Sequence, residues 1–365
     1  MIFGEGRPLD SRNVKARNLL LFLLAVCVLI PACRRPEKPL YTIGYLQLLE
    51  SMTNSDVRRG FIQALQDGGL KDGVNVRMKI RNALGDISQV QEIAQSFAAE
   101  NVDLIVAVST PGLQAALIAT QRIPIVFTSV ANPYLTRAGV SPTEHLGNVT
   151  GVMSDSAVPI RRMLSFIREV LPGAKRFGTL WTPSERNSEY YLDLAREAAA
   201  ELKVEIVAVP IANSSEVLLA AQVLVNKKID LIYQISDNTI NASFEAIGKV
   251  AEEYGLPLFG GFPMSTQVGA CAAMGWDFYD MGYRSGQIAI RVKNGENPAG
   301  IPFQGMTSLK LHLNLKAAEE QGVKLSSDVL QRASDIIVTD EKSAPLGQIM
   351  SGRPRPTQAA ERMAR

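Results

Sequence analysis

The sequence predicts an α/β protein of two similar lobes, each a parallel sheet covered by helices, and three observations carry that expectation. The first is a stretch from Val102 to Asn132 with a second version from Ile229 to Phe262. Each copy opens on an apolar, β-branched run around an Asp (Val102-Asp103-Leu104-Ile105, Ile229-Asp230-Leu231-Ile232) that reads as a buried strand. Small polar residues follow, Ser109-Thr110-Pro111 or Ser236-Asp237-Asn238-Thr239, where a helical pattern starts. An Ile-Pro or Leu-Pro step then leads to Ile125-Val126-Phe127 or Leu258-Phe259, so both copies are β-α-β units. The second observation is an earlier matched pair, Ile43-Gly44-Tyr45-Leu46 and Phe177-Gly178-Thr179-Leu180, in the same order. The third is strand-helix alternation along the rest of the chain, which implies parallel sheets with both faces covered. Ligands of such sheets bind outside the carboxyl ends of the strands, so two facing lobes place their polar strand-to-helix loops around one cleft.

Taken in order, residues 1–33 differ in kind from the rest. Arg7, Arg12, Lys15 and Arg17 precede an uncharged run from Leu19 to Ala32 that ends at Cys33, the pattern of an export signal. Ile30-Pro31-Ala32-Cys33 resembles the bacterial lipobox, whose Cys becomes the lipidated first residue, although Pro31 is unusual there. A signal without lipid and a retained anchor are the other readings of this segment. Cys27 would leave with the signal and Cys33 would carry lipid, so Cys271 stands alone and no disulfide framework or metal cluster follows.

Residues 34–40 form a tether. Residues 41–152 with 270–300 make the first lobe, and 153–269 with 301–338 the second lobe and the return through the hinge. Within these, strands are expected at 41–46 and 74–80 and helices at 55–67 and 90–100. Gly151 to Asp155 reads as a crossing between lobes, followed by a helix at 159–171, a strand at 176–181 and a polar loop at 182–188. The second lobe continues with a helix at 189–202, a strand at 204–209, a helix at 216–226 and a strand at 230–235. Residues 270–294 read as strand, turn and helix returning to the first lobe. Residues 339–365, rich in Pro, Gly, Ser and Arg, read as a disordered tail.

Composition narrows the function. A net charge of +2 on 365 residues offers no basic stripe for nucleic acid. The two histidines, His145 and His312, lie away from strand ends, so no Ser-His-Asp or Cys-His arrangement has its base. No GxSxG elbow, Walker loop, HExxH helix or dinucleotide glycine spacing is present, and no cofactor or metal is called for. Asp155, Asp237 and Asp277 remain as carboxylates for an enzymatic reading.

Binding uses the same loops better. Ser109 and Thr110, with the free N–H groups of the helix behind them, suit an anion such as a carboxylate, or they merely cap that helix. Asp237 at the matching turn suits a cation such as an α-ammonium group, or is itself a cap; the two turns together would hold a zwitterion. Asn187 and Ser188, in the loop Ser184 to Ser188, donate to ligand oxygens or cap the next helix. Trp181, Trp276, Tyr45, Tyr134 and Phe262 fall at or near strand ends, where aromatic rings line pockets or fill the core.

From Tyr41 to Val338 the chain resembles the periplasmic substrate-binding proteins of ABC transporters, in the family that includes tryptophan- and tyrosine-binding lipoproteins. The motifs are Ile43-Gly44-Tyr45-Leu46-Gln47, Arg59-Gly60-Phe61, Pro124-Ile125-Val126-Phe127, Gly147-Asn148-Val149-Thr150-Gly151, Ser184-Glu185-Arg186-Asn187-Ser188, Ser236-Asp237-Asn238-Thr239 and Gly275-Trp276-Asp277-Phe278-Tyr279. The resemblance implies a type I periplasmic binding protein fold, two Rossmann-like lobes joined by three crossings that close on a ligand. It puts ligand positions at Ser109, Thr110, Ser129, Asn187, Ser188 and Asp237, with Asp155 near a crossing. The family often has His-Pro where this chain has Met52-Thr53 and Asp-Pro where it has Asn132-Pro133, which counts against an aromatic amino acid. The expectation is a monomeric, lipid-anchored periplasmic receptor that delivers an amino-acid-like solute to an ABC permease. A sensory lipoprotein and an exported α/β enzyme are the alternatives. A sugar-responsive repressor shares the two lobes but needs a helix-turn-helix where residues 1–33 offer an export signal.

Overall fold

A computed structural model describes residues 40–338. The export signal, Cys33, nearly all of the tether and the tail 339–365 lie outside the described residues.

The first lobe starts with β1 (Tyr41–Gln47), α1 (Met52–Asp67), β2 (Val76–Asn82), α2 (Ile87–Ala99), β3 (Leu104–Val108), α3 (Ser109–Ala119), β4 (Ile125–Val130) and β5 (Val149–Met153). The chain then enters the second lobe with α4 (Ala157–Val170), β6 (Arg176–Trp181), α5 (Arg186–Glu201), β7 (Glu205–Pro210), α6 (Val217–Asn226) and β8 (Leu231–Gln234). It continues with α7 (Asn238–Asn241), α8 (Phe244–Tyr254), β9 (Leu258–Gly260) and β10 (Ala272–Trp276). Last come α9 (Phe278–Lys293), β11 (Gln304–Gly305), β12 (Leu309–Asn314), α10 (Leu315–Glu320), α11 (Ser327–Arg332) and β13 (Asp335–Ile337).

The strands form a six-stranded sheet in the order β11-β5-β4-β3-β1-β2 and a seven-stranded sheet in the order β13-β12-β10-β9-β8-β6-β7. Pairing is parallel throughout except between β10 and β12. Central strands are apolar on both faces because helices cover both: all of β3 is buried, whereas the edge strand β2 is mostly part-exposed.

The Asp that marks each repeat has the same task in both lobes. Asp103 Oδ2 accepts the Thr42 N–H at 2.7 Å, while its own N–H donates to the Thr42 carbonyl. Asp230 Oδ2 accepts the N–H groups of Lys175 and Arg176 at 2.7 and 2.8 Å, and its N–H donates to the Arg176 carbonyl. Each carboxylate therefore ties the start of the lobe's third strand in sequence to the start of its first, which sets the register of the central pair.

Three expectations about boundaries change. Helix α1 begins at Met52 rather than 55 because the Ser51 side chain caps it, accepting from the Asn54 N–H at 3.2 Å. Residues 149–153, read mainly as loop and crossing, form β5, since parallel pairing to β4 outweighs the weak strand propensity of Gly151; the crossing shrinks to 154–156. Strand β10, assigned to the first lobe, pairs with β9 and β12 in the second, and β11, assigned to the second, pairs with β5 in the first. An apolar run shows that a strand is buried but not which sheet buries it. The chain thus passes between the sheets at 154–156, at Asp277 and at 306–308.

The second passage is secured by glycines. Helix α9 lies on α1 so closely that a Cβ on Gly286 would sit 2.7 Å from the Phe61 carbonyl, and one on Gly282 would run into the Val57 carbonyl. Backbone meets backbone here, with Met281 and Val57 buried beside the contact. Gly282→Ala is expected to push α9 off α1 and lower unfolding stability in urea by roughly 1–3 kcal/mol, the cost of overpacking. Gly300→Ala, where a Cβ meets open space, should stay within about 0.5 kcal/mol. Equal, small effects of both would refute this packing.

Candidate functional site

The carboxyl ends of β1, β3 and β4 face those of β6, β8 and β9 across the space between the lobes, as parallel sheets dictate. That space, narrow and partly open to solvent, takes Thr53 and Ser129 from the first lobe and Asn187, Tyr191, Ser236, Asn238 and Asn241 from the second. The crossings add Ser154, Ser156, Trp276 and Phe278.

Two first-lobe serines reach their places through backbone strain. Ser129 follows a break in the β4–β5 register between Thr128 and Val130 and has φ 57, and Ser109 opens α3 with φ 66. Left-handed φ in a residue with a Cβ costs about 1–3 kcal/mol and persists only where the surroundings impose it. Neither Ser109 nor Thr110 caps α3: Val108 is the cap residue, without a side-chain bond, and Thr110 Oγ1 instead accepts the Ala131 N–H at 3.3 Å. The Ser109 hydroxyl is buried with no partner.

The second lobe is organised differently. Asp237 is fully buried, and its Oδ1 accepts the Ile240 N–H at 2.8 Å, which caps α7, and the Thr182 hydroxyl at 3.1 Å. Its Oδ2 has no partner. The capping and ligand readings of Asp237 therefore fall to different oxygens of one carboxylate. Burial, and then the charge of Glu185, push its pKa up to about 7. Asn187 donates Nδ2 to Glu185 Oε2 at 3.0 Å and leaves Oδ1 buried and unpartnered.

Ser109, Thr128, Asn187 and Asp237, all at strand ends or the turns after them, thus each keep a buried polar atom without a partner among the described residues. An unsatisfied buried group costs about 1–3 kcal/mol, and of these four Asn187 lines the cleft, where a ligand can complete its bonding.

Of the residues expected at the site, Ser129 and Asn187 line the space, while Ser109, Thr110 and Asp237, at the strand-to-helix junctions, are buried and do not line it. Ser188 is turned into its own lobe, where its Oγ accepts the Thr182 N–H at 2.9 Å and its hydroxyl faces the Asp237 carboxylate, opposing the rise in that group's pKa. Asp155 is exposed in the first crossing; its Oδ1 accepts the Ala157 N–H at 3.1 Å, and its carbonyl accepts Trp276 Nε1–H at 2.8 Å. Trp181 packs at the edge of the second-lobe core, and Phe262 is core, edge-on to Phe244 at 5.2 Å. Neither ring lines the space, because a strand-end position does not say which side of the sheet the ring faces. Ser154, Ser156, Tyr191 and Asn241 were not expected as ligand positions from sequence, and Thr53 and Phe278 stood there only as a departure from the family pattern and as part of a motif. Ser154 and Ser156 flank Asp155, which was the one available signal.

Comparison with known proteins places these features in context. Residues 42–337 match the family model described as ABC transporter substrate binding protein. The tyrosine-binding protein of Clostridioides difficile (strain R20291) is 36% identical over 289 residues, covering 78% of this chain and 82% of that one. Among solved structures, an ABC domain in complex with L-Trp from Streptococcus pneumonia has a TM-score of 0.75 at 25% identity, covering 81% of this chain and 100% of the other. A ligand-free, open substrate binding protein with adhesive properties from Clostridium difficile has a TM-score of 0.60 at 30% identity, covering 82% and 100%.

Asp237 yields a pH prediction. Its folded pKa is raised above the unfolded value, so its contribution to stability is full below the ordinary carboxylate pKa and is lost as pH rises through about 7. Asp237→Asn abolishes that loss. Relative to wild type, the ligand-free variant should gain roughly 3 kcal/mol in denaturant unfolding between pH 5 and pH 8, at about 1.4 kcal/mol per pKa unit over the two units up to 7. A difference independent of pH would refute it.

Proposed function

The chain belongs to the ABC transporter substrate binding protein family, and from that premise we propose that it binds an α-amino acid between its lobes for uptake. The family consists of solute-binding proteins, not enzymes. The observation that carries the amino-acid reading is the opposition of two unlike walls. Hydroxyls and the free helix-start N–H groups of α3 stand on the first lobe, and unpartnered acceptor oxygens of Asn187 and Asp237 on the second. A carboxylate suits the first and an ammonium group the second.

Trp276, Phe278 and Tyr191 line the same space, so an aromatic side chain is the first class to test. The tyrosine-binding relative and the L-Trp complex support that choice over the contrary signal from Met52-Thr53 and Asn132-Pro133. Thr53 lines the space with a hydroxyl that serves a ligand as donor or acceptor. Asn132 Oδ1 accepts the Tyr134 N–H at 3.0 Å. Contacts made by both lobes at once exist only in the closed form, so ligand favours closure by that difference.

The protein is read as exported and anchored to the membrane through lipid on Cys33, delivering its ligand to an ABC permease as a monomer. The apolar run ending at Cys33 supports the anchor. Native mass spectrometry of the chain from Arg34 onward, with thermal shift against L-tyrosine, L-tryptophan and neutral sugars, tests the ligand class. An amino acid should raise Tm, and Ser129→Ala should weaken its binding about 5- to 30-fold, the loss of one or two hydrogen bonds. Stabilisation by sugars alone would refute the reading.

A further inference from the structure

We propose that Glu185 is a positioning residue that fixes the second lobe's wall of the cleft as hydrogen-bond acceptors, so that this lobe selects the ligand's charged amine. The inference deepens the amino-acid reading above and rests on it.

Glu185 lies between β6 and α5 and is 1% exposed. Its Oε1 accepts the Thr239 N–H at 3.0 Å and the Thr239 hydroxyl at 2.6 Å. Its Oε2 accepts Nδ2–H of Asn187 at 3.0 Å and of Asn238 at 2.5 Å. An ionised carboxylate only accepts, so every group turned toward it must donate. Both amides therefore spend an N–H on Glu185, and their orientation is imposed rather than free.

Each amide keeps its second N–H and its carbonyl oxygen, and because the nitrogen is held at Glu185 the oxygen is turned away from it. Asn187 and Asn238 both line that space, and Asn187 Oδ1, in a residue 5% exposed, has no partner. Asp237, next to Asn238 in the chain and fully buried, adds Oδ2, likewise unpartnered. No basic side chain lines the space or bonds Glu185 among the described residues; the neighbouring Arg186 donates to the Leu135 carbonyl at 3.4 Å instead. A buried carboxylate served only by neutral donors, with acceptors beyond it, leaves a positive charge as the missing component, and a ligand ammonium group supplies it.

Glutamine at this position is nearly isosteric but replaces one of two oxygens, each of which accepts two bonds, with an NH₂ group; the Thr239 N–H cannot reverse and keeps the remaining oxygen, so the NH₂ falls opposite Asn187 and Asn238, whose amides both lose their acceptor and must reverse, presenting NH₂ to the ligand. The test is isothermal titration of wild type, Glu185→Gln and Glu185→Asp with L-tyrosine, with tyramine, which keeps the amine and lacks the carboxylate, and with 3-(4-hydroxyphenyl)lactate, which has a hydroxyl in place of the amine. Wild type should prefer L-tyrosine to the hydroxy acid by about 100-fold or more. Glu185→Gln should cut that preference to about tenfold or less, mainly by losing L-tyrosine, and Glu185→Asp should retain more of it. Equal wild-type affinity for L-tyrosine and the hydroxy acid would overturn the role of the wall while leaving the amino-acid reading intact. Equal loss of both ligands in Glu185→Gln, with a lowered Tm, would reduce Glu185 to a structural residue and overturn the proposal. Tyramine binding without L-tyrosine binding would support the amine-selective wall and sink the amino-acid reading; failure of both amines to bind wild type would sink the two together.

Discussion

A charge buried without a cation beside it governs the second lobe. Glu185 enters the interior with its carboxylate, and the loops after β6 and after β8 take their shapes from supplying it with donors. Asn187 and Thr239 lie far apart in the chain and meet only because β6 and β8 are neighbours in the sheet. The first lobe solves the matching problem conventionally: Glu50 takes a two-pronged contact from Arg58 at 2.8 and 3.0 Å, with Gln47 and Ser55 donating beside it. Those hydrogen bonds and the Arg58 charge outweigh burial and hold the Glu50 pKa below the usual carboxylate range. Two lobes of one plan therefore satisfy a buried carboxyl group differently, by a paired guanidinium in the first and by neutral donors alone in the second.

The site also stores free energy. Ser109 and Ser129 hold left-handed backbone conformations, and four nearby side chains keep buried polar atoms unpaired. At about 1–3 kcal/mol for each such feature, the total is a sizeable part of what a folded domain has to spare. The rest of the lobe compensates with strands buried on both faces and with strand starts tied by Asp103 and Asp230. A ligand that partners these atoms, as proposed, would recover part of that penalty on binding.

Much of the architecture was legible because it repeats. A β-branched run behind an Asp, then small polar residues, then a helical period, occurs twice, and the structure gives the two Asp side chains one job. The sheet that receives β10 was not legible, since burial leaves the same apolar run in either lobe. Nor was the fate of individual strand-end side chains: Phe262 and Trp276 look alike in sequence, yet one packs on Phe244 and the other lines the cleft. Glu185 stood in a motif that was read for Asn187 and Ser188 as donors. Its importance depends on Asn238 and Thr239 arriving from another loop, which only strand order reveals.

The crossings join this chemistry to motion. Ser154 and Ser156 belong to the first crossing, Trp276 and Phe278 flank the second, and all four line the ligand space. The two crossings are also bonded to one another, through Trp276 Nε1–H and the Asp155 carbonyl at 2.8 Å, and Tyr191 of α5 donates to the Ser154 carbonyl at 3.0 Å. A ligand in the cleft therefore touches the segments whose backbone must rotate for the lobes to part, as well as the walls that the rotation separates. Contacts to the walls are lost on opening, whereas contacts to the crossings persist in altered geometry. On the proposed reading, contacts of the first kind favour closure, and Asn187 on a wall and Trp276 beside a crossing belong to different kinds.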